Sequence, residues 1–119
     1  MTDSREIQRW GSTPILHRFV RYNGVVYFAG VIASDVSLPM KGQTQQIIAQ
    51  LDERLMAAGT SKDRLLTAMI FVTDLELKSE MNEAWSAWLP REHLPTRATL
   101  AVADLGPNVL IEVVVSAAA

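Results

Sequence analysis

The chain has 119 residues, 49% of them hydrophobic and 20% charged, which predicts a single globular domain over residues 1–119 and excludes disordered, collagen-like and coiled-coil classes. A chain of this size buries about two thirds of its unfolded surface and needs no covalent staple. The formal charge of −2 argues against broad nucleic-acid affinity, and the absence of cysteine excludes disulfides, thiolate chemistry and cysteine-based metal sites.

Met1 to Glu6 is polar and mixed in charge, without the basic start and apolar run of a signal peptide. The longest apolar run, Gly24 to Ala33, is too short to cross a bilayer, so a cytoplasmic protein with no membrane partner is expected. Arg5, Arg9, Arg18 and Arg21 are the one local cationic excess; a solvated strand face explains them more simply than an RNA-contacting patch. Ile7 to Trp10 can supply a short strand before Gly11, Ser12, Thr13 and Pro14 break the chain. Val20 to Tyr22 and Val25 to Ala29 are β-rich and joined by Asn23-Gly24, whose tolerance of positive φ suits a tight hairpin.

Ser34 to Gly42, containing Pro39 and Gly42, reads as a loop. Ile47, Ile48, Leu51 and Leu55 then place one stripe on an amphipathic helix ending near Ala58, with Gly59 free to close it in the left-handed region. Leu65 to Thr73 is apolar almost throughout and predicts a central strand covered on both faces. Asp74 can cap the next helix, in which Leu77, Met81, Trp85, Trp88 and Leu89 keep helical spacing, and Pro90 and Pro95 bracket its exit. Two last strands, Thr96 to Val102 and Val109 to Ser116, flank the turn-prone Asp104 to Asn108. This order predicts an α+β fold with two helices on one face of a mixed sheet. Too few elements remain to cover the other face, so a partner subunit is its natural cover.

The two histidines, His17 and His93, form no ligand-spaced pair, no serine sits in a nucleophile elbow, and the six glycines are scattered at turns. No metal is expected, and covalent and nucleotide chemistry lose support. Two charges do sit where charge is expensive: Arg97 opens a strand after Pro95-Thr96, and Glu112 lies between Ile111 and Val113. Each needs a partner, a ligand or a wet cleft. Periodicity alone also admits both facing outward on a half-exposed sheet, or pairing with each other across neighbouring strands.

Pro95-Thr96-Arg97-Ala98-Thr99, then Leu105-Gly106-Pro107, then Ile111-Glu112-Val113 resembles the C-terminal signature of the Rid family (YjgF/YER057c/UK114), including the 15-residue interval from Arg97 to Glu112. The resemblance continues upstream. Val20 to Gly30 is similar to the family's second hairpin, Gln43-Thr44 to the start of its first helix, and Leu55 to Gly59 to the end of that helix. Ile70 to Leu75 is similar to the central strand and its turn, and Met81-Asn82-Glu83-Ala84-Trp85 to the asparagine-bearing helix. The match runs from about residue 14 without large insertion, and the paired Trp85 and Trp88 with the short Arg9-Trp10 start look closer to a divergent bacterial subgroup.

The resemblance implies a chorismate mutase-like fold assembled as a barrel-forming homotrimer, with ligand clefts between subunits. It implies Arg97 as the group that binds the substrate carboxylate, Glu112 as a catalytic residue that orients or activates water, and Asn82 and Thr99 as pocket residues, Thr99 through its backbone carbonyl. A solvent-facing Asn82 is equally compatible with its mid-helix position. The implied reaction is cofactor-free hydrolysis of 2-imino acids or enamines to 2-keto acids and ammonia. Ala29 stands before Gly30 where active members commonly carry serine, and Leu16 stands in place of a tyrosine, which points to a bulkier or more apolar substrate. A binding protein that uses the same cleft for a small carboxylate metabolite is the second reading. An RNA-cleaving role ranks last, since a net-acidic chain without a histidine pair lacks phosphate affinity and acid–base partners.

Overall fold

The computed structural model describes residues 5–119, so the N-terminal stretch read for targeting signals lies mostly outside it. Asn23 and Gly24 both take the left-handed backbone, at φ 52° and 81°, which the two-residue hairpin turn requires. They lock β2 (His17–Tyr22) onto β3 (Val25–Phe28) with Phe19 opposite Phe28. The first strand, β1 (Gln8–Ser12), pairs with β2 and runs on through Gly11, at φ 72°, instead of stopping at Trp10. A two-residue strand that the sequence did not signal, β4 (Val31–Ile32), pairs with β7 (Ile111–Ala118).

Helix α1 (Met40–Ala57) begins directly after Pro39, so Gly42 falls inside its first turn and not in a loop. Pro39 has φ −69°, a value the ring fixes and a following helix accepts. At the other end Gly59, at φ 77°, donates to the Met56 carbonyl while the Thr60 N–H donates to Leu55. These are the two crossed bonds of a Schellman closure. Asp74 Oδ1 accepts from the Glu76 N–H at 2.9 Å and caps a 3-10 turn leading into α2 (Lys78–Trp88). Helix α2 links β5 (Leu65–Val72) to its parallel neighbour β6 (Thr96–Ala101).

The sheet order is β1-β2-β3-β7-β5-β6, and among the described residues only β5 and β6 run parallel. Both helices pack on one face. There Ile47, Leu51 and Leu55 of α1 and Met81, Trp85 and Trp88 of α2 meet Val26, Ile70, Val72, Ile111 and Val113 in one core, each large side chain contributing about 1.5–3 kcal/mol by leaving water. The opposite face is bare: Tyr27, Ile32, Met69 and Leu100 are 52%, 40%, 38% and 42% exposed. The expectation that β5 is covered on both faces is therefore met on one face only, because a single chain has no second layer. Tyr27, Met69 and Val114 border a hollow of about 360 Å³ on this bare face. Among the described residues no helix is long and apolar enough to cross a membrane.

Gln43 has a structural role that its helix position did not reveal. It is fully buried; its Nε2 donates to the carbonyls of Val36, Leu38 and Asn108 at 3.3, 3.0 and 3.0 Å, and its Oε1 accepts from the Leu110 N–H at 3.0 Å. One side chain thus ties α1 to the loop before it and to the approach of β7. Gln43→Met, similar in volume but unable to make these bonds, should lower unfolding free energy by about 2–4 kcal/mol. Urea denaturation should show the midpoint falling with an unchanged slope.

Candidate functional site

Arg97 lies opposite Ala68 in the β5–β6 register, and Ala68 belongs to the buried core, so the arginine points into the helix layer. There α2 presents three neutral groups. Arg97 Nη1 donates to Asn82 Oδ1 at 2.7 Å and lies 3.9 Å from Met81 Sδ, and the guanidinium carbon sits 5.8 Å from the Trp85 ring centroid. No carboxylate pairs with it among the described residues. Burial lowers its pKa from the ordinary arginine value, yet a guanidinium stays cationic at any physiological pH. The result is a half-buried cation, oriented by an amide and an aromatic face, with donors to spare.

Asn82 is therefore not solvent-facing: its amide oxygen holds the arginine. Thr99, two residues along β6 on the same face, has its Oγ1 buried without a hydrogen-bond partner among the described residues. Leaving such a hydroxyl unpaired costs about 1–3 kcal/mol, which a ligand or water beside Arg97 would relieve. The sequence had assigned Thr99 only a backbone contribution; the side chain is the unsatisfied group.

Glu112 lies elsewhere. It stands opposite Phe71 of β5 and Ile32 of β4, on the bare face of the sheet. With β5 between them and their side chains on opposite faces, Arg97 and Glu112 of one chain form no cross-strand ion pair. Glu112 instead leans over Gly30, where an added Cβ would collide with Oε2 and come within 2.9 Å of Cδ. Ala29 N–H donates to the Arg18 carbonyl at 2.9 Å, carrying the β2–β3 pairing up to this point. Leu16 is 43% exposed at the β1–β2 turn, two residues before Arg18. Arg97, Thr99 and Asn82 thus come together on the helix side, while Glu112 lies on the opposite face over Gly30, beside Ala29 in the chain, and Leu16 sits apart at the β1–β2 turn.

Sequence reasoning passed over Trp85 as the platform beside Arg97, although its place three residues after Asn82 on α2 put both on one helix face. It named Gly30 only as a landmark; the close approach of Glu112 is the physical reason for a glycine there. Among the described residues no set of His, Asp or Glu side chains is placed to hold a metal.

A profile of the family described as "Endoribonuclease L-PSP" matches residues 12–119. A RutC family protein of Haemophilus ducreyi is 36% identical over 97 residues, covering 82% of this chain and 83% of the relative. An Arabidopsis thaliana protein named Reactive Intermediate Deaminase A, chloroplastic, is 28% identical over 100 residues, covering 79% of this chain and 53% of that protein. Among solved structures, a member of the YjgF protein family from Neisseria meningitidis superposes with a TM-score of 0.92 at 28% identity, covering 98% of this chain and 97% of its own. The chain's mixed sheet with two helices on one face is the fold of that structure, and the chain belongs to the L-PSP/YjgF family, the Rid family whose motifs it carries.

Proposed function

We propose that this protein hydrolyses reactive 2-imino acids and their enamine tautomers, in clefts formed between copies of itself. The observation that carries the reading is the Arg97 guanidinium, half-buried beside neutral partners and, among the described residues, lacking a carboxylate to pair with. A planar carboxylate offers it two parallel charge-assisted hydrogen bonds. The deaminase name of the Arabidopsis relative supports the same reading.

The chemistry asked of the site is small. The enamine tautomerises to the imine, and water adds to the C=N carbon to give a carbinolamine. A proton moves from the added water to nitrogen, the C–N bond breaks, and ammonia leaves a 2-keto acid. With the carboxylate fixed on Arg97, orientation of the imine carbon toward one water supplies most of the acceleration, and Glu112 accepts and returns the proton.

Within one chain Arg97 and Glu112 are on opposite faces, so in this reading a cleft takes Arg97, Thr99 and Asn82 from one copy and Glu112, Ala29 and Leu16 from the next. A homotrimer closed around the bare apolar face would provide such clefts and bury Tyr27, Met69 and Leu100. Ala29 and Leu16 make the second half more apolar, in keeping with a larger apolar substrate side chain.

The test supplies imines made in place by an amino-acid oxidase and follows keto-acid release. Arg97-dependent acceleration supports the enzyme. Binding of a keto acid or benzoate through Arg97 with no turnover would select instead a carboxylate-binding protein, the alternative favoured by Ala29 and Leu16. Gly30→Ala should displace the Glu112 carboxyl and lower turnover by about 10–100-fold. Its thermal midpoint should stay within a few degrees of the parent, because Gly30 is exposed.

A further inference from the structure

The cationic excess near the N-terminus is not a uniformly solvated strand face. Arg21 Nη2 donates to the Ala58 carbonyl at the end of α1 at 2.6 Å, and its guanidinium carbon sits 5.5 Å from the Trp10 ring centroid. Arg18 behaves differently. It lines, together with Arg54 of α1, a hollow of about 260 Å³ whose other lining residues are Phe19, Gln50, Glu53 and Ala57. Neither Arg18 nor Arg54 has a hydrogen bond or an ion pair among the described residues, even though Glu53 borders the same hollow. Arg54 is partly desolvated there and also feels the charge of Arg18, and both effects lower its pKa.

The negative pole at the end of α1 accounts for Arg54, which sits in the last turn. It does not account for a second guanidinium beside it. Two like charges around one concavity repel each other, and Glu53, which also lines it, pairs with neither among the described residues. A monocarboxylate brings only one negative charge to the two guanidinium groups. A dianionic oxyanion can accept from both at once. We propose that this hollow is a second anion site, distinct from the Arg97 cleft, which holds a phosphate group between Arg18 and Arg54, either free phosphate or that of a small phosphate ester.

The assembled protein should be titrated calorimetrically with inorganic phosphate and with glycerol phosphate, at ionic strength held constant with potassium chloride. Saturable binding of either ligand at one site per chain, with Kd on the order of 1 mM or tighter, is expected. Arg18→Gln and Arg54→Gln should each weaken it about 10-fold or more, while Arg97→Gln leaves it unchanged. Arg18 is exposed on a strand, so its variant keeps the test decisive should Arg54→Gln fold poorly. Arg18→Gln should also melt no lower than the parent without phosphate, since it removes a repulsion and no ion pair among the described residues. Heat no greater than that with chloride, or binding lost in Arg97→Gln and retained in Arg18→Gln, overturns the proposal.

Discussion

Arg97→Met should lower kcat/KM for imino-acid hydrolysis by about 100-fold or more, because losing two charge-assisted hydrogen bonds removes about 3 kcal/mol at the least. Arg97→Lys keeps the charge but presents a single point donor in place of a planar fork, and should cost about 10-fold. The two variants separate charge from geometry. Neither should unfold the protein: Arg97 is a partly desolvated cation without a counter-ion among the described residues, so Arg97→Met should melt at or above the parent temperature. Turnover unchanged in both variants would remove Arg97 from the chemistry and the deaminase reading with it.

Much of the fold was legible because its local signals agree with its tertiary demands. The Asn23-Gly24 turn, the stripe of Ile47, Leu51 and Leu55, and the closing Gly59 each follow from backbone sterics or helical period. The errors have equally local causes. Pro39 has the sequence signature of a breaker but stands at the helix start, where a missing N–H is harmless. Val31–Ile32 is too short for alternation to register and is a strand only because β7 lies beside it. Leu65 to Thr73 reads as covered on both sides because an apolar run shows that both faces are apolar and not that both are covered, and within this chain Leu66 and Met69 stay exposed.

The candidate site was legible as chemistry and not as geometry. Arg97 and Glu112 stood out because charge in an apolar strand demands an explanation. Which face each takes depends on register, and the irregularity in the β5–β7 pairing between Leu65 and Thr67 is of a kind that period-two reasoning cannot place. Asn82 and Arg97 are brought together only by the packing of α2 over β6. The hollow between Arg18 and Arg54 likewise needs α1 laid against β2, so the sequence showed the strand arginines but not the helix arginine that completes the pair.

The split between the two candidate groups leads to the most demanding test. Arg97→Met and Glu112→Gln should each be nearly inactive when prepared alone. Refolded together in equal amounts, they should recover up to about one quarter of parent activity, because random mixing gives that share of clefts an intact arginine from one copy and an intact glutamate from its neighbour. Residues drawn from a single copy could never be reunited this way, so a mixture no more active than its parents sinks the two-copy cleft. Met69→Glu supplies the other arm. Met69 lies on the bare sheet face, where a carboxylate is tolerated in water but strongly unfavourable once desolvated against another copy. The variant should keep its secondary structure and cooperative unfolding, fall to monomer mass in solution, and lose turnover although Arg97, Asn82 and Thr99 remain in place. A Met69→Glu monomer that still hydrolysed imines would show that one chain suffices, and that the uncovered face serves another purpose.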